Sequence, residues 1–73
     1  MAMKNVHAHI RKTIKAHLDS KGISAEKLAY ESGVSKGFLY GYLAGTSKNI
    51  SIDMLVMIAE GLEVPLKDLL PDD

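Results

Sequence analysis

Residues 24–45 read SAEKLAYESGVSKGFLYGYLAG, and the fold of the chain turns on how that stretch is parsed. It holds two short helical patterns, each opened by a serine and separated by Gly33-Val34. A serine hydroxyl accepts an orphan amide at a helix start, so Ser24 and Ser35 read as N-caps. From Ala25 to Ser32, Leu28 and Ala29 fall inward while Glu26, Lys27 and Glu31 fall outward. Gly33 stops that pattern. The second pattern runs from Ser35 to about Leu43, with Leu39, Tyr42 and Leu43 on its inner side. Gly37 and Gly41 lie inside it, and each weakens a helix by up to about 1 kcal/mol relative to alanine. Tertiary packing, rather than propensity, must hold this helix.

The offsets around Gly33 are those of a helix-turn-helix spanning about residues 24–43. Two helices that cross steeply and touch near their turn need a small residue on the first, here Ala29. They need a turn residue that tolerates positive φ, here Gly33 four positions later. They also need an apolar residue on the second helix facing back, here Leu39, with Leu28, Val34 and Tyr42 filling around it.

On the N-terminal side, Val6, Ile10, Ile14 and Leu18 recur every four residues, which predicts an amphipathic helix over roughly 4–20, closed by Lys21-Gly22. Lys4, Arg11 and Lys15 share another stripe, with Lys12 beside it. His7, His9 and His17 form no HxxxH pair and have no carboxylate on the same face, so they read as surface or half-buried histidines rather than metal ligands. On the C-terminal side, residues 45–49 form a polar loop, and Ser51 is a third N-cap with Asp53 in the first turn. From Ile52 to Leu62 the pattern is apolar nearly all round, as expected of a helix buried on more than one side. Gly61 weakens its last turn. Val64-Pro65 opens a last short helix whose apolar face is Leu66, Leu69 and Leu70, with Pro65 at its first position. No period-two strand pattern occurs. The reading is all-α: five short helices in one domain, residues 1–73.

Composition narrows the function. A chain of 73 residues buries only about 60 % of its unfolded surface, so the core is marginal. There is no cysteine, hence no disulfide or thiolate chemistry. No signal peptide or membrane span is visible, and the cytoplasm is the expected location. Formal net charge is zero, but residues 1–48 hold eight Lys/Arg against three acids (+5), and residues 49–73 hold one lysine against six acids (−5). Such sorting suits a basic face for a polyanion and an acidic back; solvated surface charge that happens to sort by half reads the same way.

The sequence resembles the lambda-repressor-like helix-turn-helix family, often called the Xre family, over about residues 10 to 70. The matching residues include Ile14, Gly22-Ile23-Ser24, Leu28-Ala29, the run SGVSKGFL (residues 32–39), Gly45, Ser51-Ile52 and the LxxIAxxLxVxLxxLL run from Leu55 to Leu70. The resemblance implies a compact five-helix domain whose second unit helix, Ser35 to Leu43, enters the DNA major groove by its N-terminal end. Position by position, it makes Lys36, Gly37, Phe38, Tyr40 and Gly41 the base-reading candidates, with Lys36 able to donate to guanine O6/N7. Gly37 can only permit close approach. Phe38 suits a thymine methyl or a partly buried role steadying the helix, and Tyr40 suits DNA or a protein partner. Ser24, Ser35, Thr46 and Lys48 are the phosphate candidates, together with the amides after Ser51; Lys48 also reads as a plain loop lysine.

The chain departs from the family at several points. An arginine and a glutamate that commonly pair across the domain are Leu18 and Leu43 here, an apolar contact in place of an ion pair. A phosphate-holding glutamine is Ala25. A proline before the fourth helix is Ile50, and polar residues at 40 and 41 are Tyr40-Gly41.

Three functions compete. The first is a sequence-specific transcriptional regulator of repressor type on double-stranded DNA, acting as a homodimer through Met54, Met57, Leu66 and Leu70. The second is a protein-interaction module that keeps the fold without the DNA contacts and uses Phe38, Tyr40, Tyr42 and Leu43 as its patch. The third, an enzyme, has no catalytic constellation, phosphate loop or metal set behind it. No cofactor or small-molecule ligand is expected.

Overall fold

A computed structural model describes residues 6–71. Helix α1 spans Val6–Lys21, α2 Ala25–Ser32, α3 Lys36–Ala44 and α4 Ile52–Leu62, and a 3-10 turn follows at Leu66–Leu69. No strand occurs among the described residues. None of their helices is long and apolar enough to cross a membrane.

The three serines act alike. Ser24, Ser35 and Ser51 have extended backbones, and their hydroxyls accept from the amides of Lys27, Phe38 and Met54 at 3.1, 3.0 and 3.1 Å. Each satisfies one donor that a helix start leaves open. Gly33 closes α2 at φ 82°, with its amide donating to the Ala29 carbonyl at 2.9 Å. Only glycine takes that backbone without crowding a Cβ. The expected turn between α2 and α3 is therefore present.

The apolar stripes meet in one core. Ile10, Ile14 and Leu18 come from α1, Leu28 and Ala29 from α2, and Val34 from the turn; Leu39, Tyr42 and Leu43 come from α3. Leu55, Ile58, Ala59 and Leu62 come from α4, and Leu69 from the final turn. Among the described residues, no polar or charged residue other than Tyr42 is buried with them. Helix α2 packs on both α4 and α3, while the final 3-10 turn ties α1 to α4. Leu18 and Leu43 both lie in this core.

Two sequence expectations need correction. The last element is a 3-10 turn, not an α-helix, and Pro65 is its cap rather than its first residue. Five residues between Pro65 and Pro71 are too few to repay an α-helical nucleus. Second, Gly61 is not a weak point of α4. A Cβ built there would stand 2.8 Å from Ser32 Cβ and 3.1 Å from Ser32 Cα, so this glycine lets α4 approach the C-terminal end of α2. The left-handed residue that ends α4 is Glu63 (φ 63°), a side-chain-bearing residue where glycine would relieve strain.

Gly61→Ala should thus destabilise the fold by about 1–3 kcal/mol despite its gain in helix propensity, because part of the obstacle is backbone. Gly37→Ala, with nothing within 4 Å of the new Cβ, should stabilise by about 0.5 kcal/mol. Urea unfolding of the two variants separates them; equal shifts would contradict the close-packing role of Gly61.

Candidate nucleic-acid interface

Helix α3 is gripped along one side and open at its first turn. Leu39, Tyr42 and Leu43 are buried, whereas Lys36, Gly37 and Tyr40 are exposed. Phe38 is half-buried because its ring stacks on Tyr42, with centroids 6.1 Å apart and planes 13° apart. Phe38 thus steadies the helix with one face. Gly41 faces inward: a Cβ there would meet Ser47 Oγ at 3.2 Å, and its carbonyl accepts from the amides of Thr46 and Ser47 at 2.8 and 3.1 Å. Among the five base-reading candidates, Gly41 is therefore turned toward the loop and shapes it.

The phosphate candidates line up differently. Ser24, Ser35, Thr46 and Lys48 are all exposed. Ser24 and Ser35 use an oxygen lone pair for the cap, which leaves each hydroxyl proton free to donate outward. Ser51 adds a third such terminus directly after the loop that carries Lys48.

What fixes α3 against α1 is a cluster around Tyr42. Its side chain has no exposed surface, and its hydroxyl is hydrogen-bonded to His7 Nδ1 at 2.8 Å. The His7 ring also meets the tyrosine edge-on, 81° between planes. The Arg11 guanidinium lies 4.6 Å from the ring centroid. Its Nε donates to the Tyr42 carbonyl at 2.6 Å and its Nη2 to the Ser47 carbonyl at 3.0 Å. One arginine thereby binds the C-terminal end of α3 and the following loop, where a cation is favoured by the helix dipole. Burial raises the Tyr42 pKa above its ordinary 10.0, and the nearby Arg11 charge pulls it back down by less.

The sequence reading missed this cluster. By spacing Arg11 shares a stripe with Lys4 and Lys15, and His7 reads as a surface or half-buried histidine. Their i,i+4 spacing does put them on one face, which is the signal that was available. The cluster also corrects the interaction-patch reading. Tyr42 and Leu43 are core residues (0 % and 8 % exposed), so neither can line a partner surface. The exposed large apolar side chains are instead Tyr30 (85 %), Ile52 (63 %) and Tyr40 (47 %). The dimer candidates Met54, Met57, Leu66 and Leu70 are all half-buried against the core.

Charge on the unit is internally matched. Lys27 pairs with Glu31 at 3.3 Å within α2, and Lys36 of α3 pairs with Glu26 of α2 at 3.6 Å.

The fold has counterparts among known proteins. A helix-turn-helix family model matches residues 14–69. The chain belongs to the lambda-repressor-like helix-turn-helix family. A curated relative, the HTH-type transcriptional regulator SlrR of Bacillus subtilis strain 168, is 38 % identical over 60 residues, covering 82 % of this chain. The chain spans 40 % of that relative's length. Two solved restriction-modification controller proteins share the fold. C.AhdI from Aeromonas hydrophila superposes with a TM-score of 0.80 at 23 % identity, covering 88 % of this chain and 96 % of that one. Wild-type C.Esp1396I superposes with a TM-score of 0.75 at 28 % identity, covering 92 % and 95 %. Within the matched residues α3 is the second helix of the unit, and in this structure the Tyr42 cluster braces it against α1.

Removing that brace has a defined pH signature. A raised folded-state pKa means that Tyr42 contributes stability fully below pH 10, and that this contribution is lost as pH rises through the folded-state value. Tyr42→Phe should cost about 1 kcal/mol at pH 7 and should lack part of the alkaline decline of the parent chain. Identical declines above pH 10 in urea titrations of the two proteins would show that the Tyr42 phenol is not coupled to folding. Arg11→Ala should cost about 2 kcal/mol, since two carbonyls lose a charged donor.

Proposed function

We propose that the chain is a sequence-specific DNA-binding transcriptional regulator of repressor type, working in the cytoplasm as a homodimer and placing the N-terminal end of α3 in the major groove. The observation that carries this reading is the contrast along α3. Its inner side is locked by Leu39, Tyr42 and Leu43, while its first turn presents Lys36 and a bare Gly37 backbone to solvent. A groove reader needs that combination: a rigid helix whose first turn meets base edges.

The flanking features support it. Ser24, Ser35 and the start of α4 offer hydroxyls and helix N-termini suited to phosphate oxygens on either side of the groove. Lys48 adds a cation between α3 and α4. The relatives are named as a transcriptional regulator and as restriction-modification controllers. One such unit makes few base contacts, so two half-sites about one helical turn apart would supply the remaining specificity. The exposed remainders of Met54, Met57, Leu66 and Leu70 are the surface we assign to the second copy, with Ile52 two residues before Met54 at the start of α4.

Fluorescence anisotropy on duplex DNA tests the reading. Binding should weaken steeply with salt, with a log–log slope of about −0.9 per phosphate neutralised. Lys48→Ala should weaken random and selected duplexes about equally and make the slope shallower by about 0.9. Lys36→Ala should cost roughly 1–3 kcal/mol at a selected site and relax one base preference. A folded chain that binds no duplex at 50 mM salt and micromolar protein, roughly the regime in which non-specific binding is detectable, would reject the proposal.

A further inference from the structure

The Lys36 ammonium is not free. Glu26 Oε2 on α2 lies 3.6 Å from Lys36 Nζ, across the helix-turn-helix rather than along one helix. Both side chains are more than half exposed, so the pair sits on the open side of the unit, at the first turn of each helix. Within residues 24–45 the cations are Lys27 and Lys36 and the acids are Glu26 and Glu31. Each lysine is matched to one acid. Lys27–Glu31 is an ordinary i,i+4 pair on one helix surface. Lys36–Glu26 differs, because it joins the candidate base reader to a carboxylate on the neighbouring helix.

Resting on the DNA reading above, we infer that Glu26 is a specificity-determining residue: its carboxylate keeps Lys36 from serving as a phosphate contact and leaves it available to a base edge. Two ligand chemistries compete for the lysine. A phosphate oxygen carries charge and is repelled by a carboxylate that stays 3.6 Å from the same ammonium. Guanine O6 and N7 are uncharged acceptors and suffer no comparable repulsion. An ammonium held beside Glu26 therefore loses more of its attraction for backbone than for guanine. The carboxylate lowers binding wherever Lys36 would have only a phosphate to contact, as on random DNA, and so widens the gap between a correct site and random DNA. A bare Gly37 next to Lys36, with nothing within 4 Å of where a Cβ would stand, leaves room for the base edge to approach.

The test is a double-mutant cycle of Glu26→Gln and Lys36→Gln, read by anisotropy on a random duplex between 50 and 200 mM salt. Glu26→Gln keeps the shape and removes the charge. It should tighten random-duplex binding by roughly threefold to tenfold at about 0.1 M salt and steepen the log–log slope by about 0.9, as one more phosphate is neutralised. In the Lys36→Gln background, the same change should yield less than half of that gain, because the released cation is absent. A gain of half or more in that background would mean that Glu26 acts as general negative charge and would overturn the inference. So would no gain, or a loss, in the Lys36 parent. Failure of the parent chain itself to bind duplex would instead reject the DNA reading before Glu26 is changed, and this inference would fall with it.

Discussion

A buried tyrosine holds this small protein together at the point where its functional helix is set. Among the described residues, Tyr42 carries the one polar side chain in the core, with no exposed surface. A buried hydroxyl left without a partner costs about 1–3 kcal/mol, a large share of the roughly 5–15 kcal/mol that keeps a domain folded. His7 supplies that partner. Arg11 covers the ring and binds the Tyr42 and Ser47 carbonyls. Phe38 closes the other side by stacking. Helix α1 thus reaches α3 through polar as well as apolar contacts, and the angle of α3 follows. Leu18 and Leu43, where the family resemblance implies an ion pair, are apolar core here, and a cation from elsewhere on α1 binds the end of α3.

A second constraint acts from the other side. Helices α2 and α4 approach closely because Gly61 has no Cβ to strike Ser32. That contact anchors the first helix of the unit, and Gly33 then turns the chain so that Leu39 enters the core. The helix is consequently rigid along its length and bare at its start. With α3 fixed, its outward side chains, few as they are, are presented in one arrangement. Preorganisation of this kind matters most for a reader with few hydrogen-bonding groups, since each must be in place before the groove is met.

Much of the fold was legible in the residues. Serine caps, the four-residue recurrence of Val6, Ile10, Ile14 and Leu18, and the Ala29–Gly33–Leu39 offsets are local signals, and local geometry follows them closely. The misses were of another kind. Arg11 and His7 share a face by spacing, but which helix that face meets is decided by packing between residues some thirty positions apart. Gly61 reads as a weak helical residue until Ser32 is placed against it, and propensity alone makes it, rather than Glu63, the natural place for α4 to end. The Lys36–Glu26 pair likewise crosses between helices, so no i,i+4 rule finds it. Gly41 drops from the outward set because its carbonyl is bound to the loop amides, which sequence spacing does not specify. Most of these hidden features depend on tertiary contacts between distant segments, and they carry most of what is distinctive in the candidate interface.

The central claim is that a locked α3 reads base sequence through its first turn, and the most direct measurement is selection of binding sites from a random pool of duplex DNA with the full chain. Enrichment of a defined motif containing guanine at a fixed position, as two half-sites about one helical turn apart, is the expected result. Recovery of a pool with unchanged base composition at every position, from a folded protein, would contradict it.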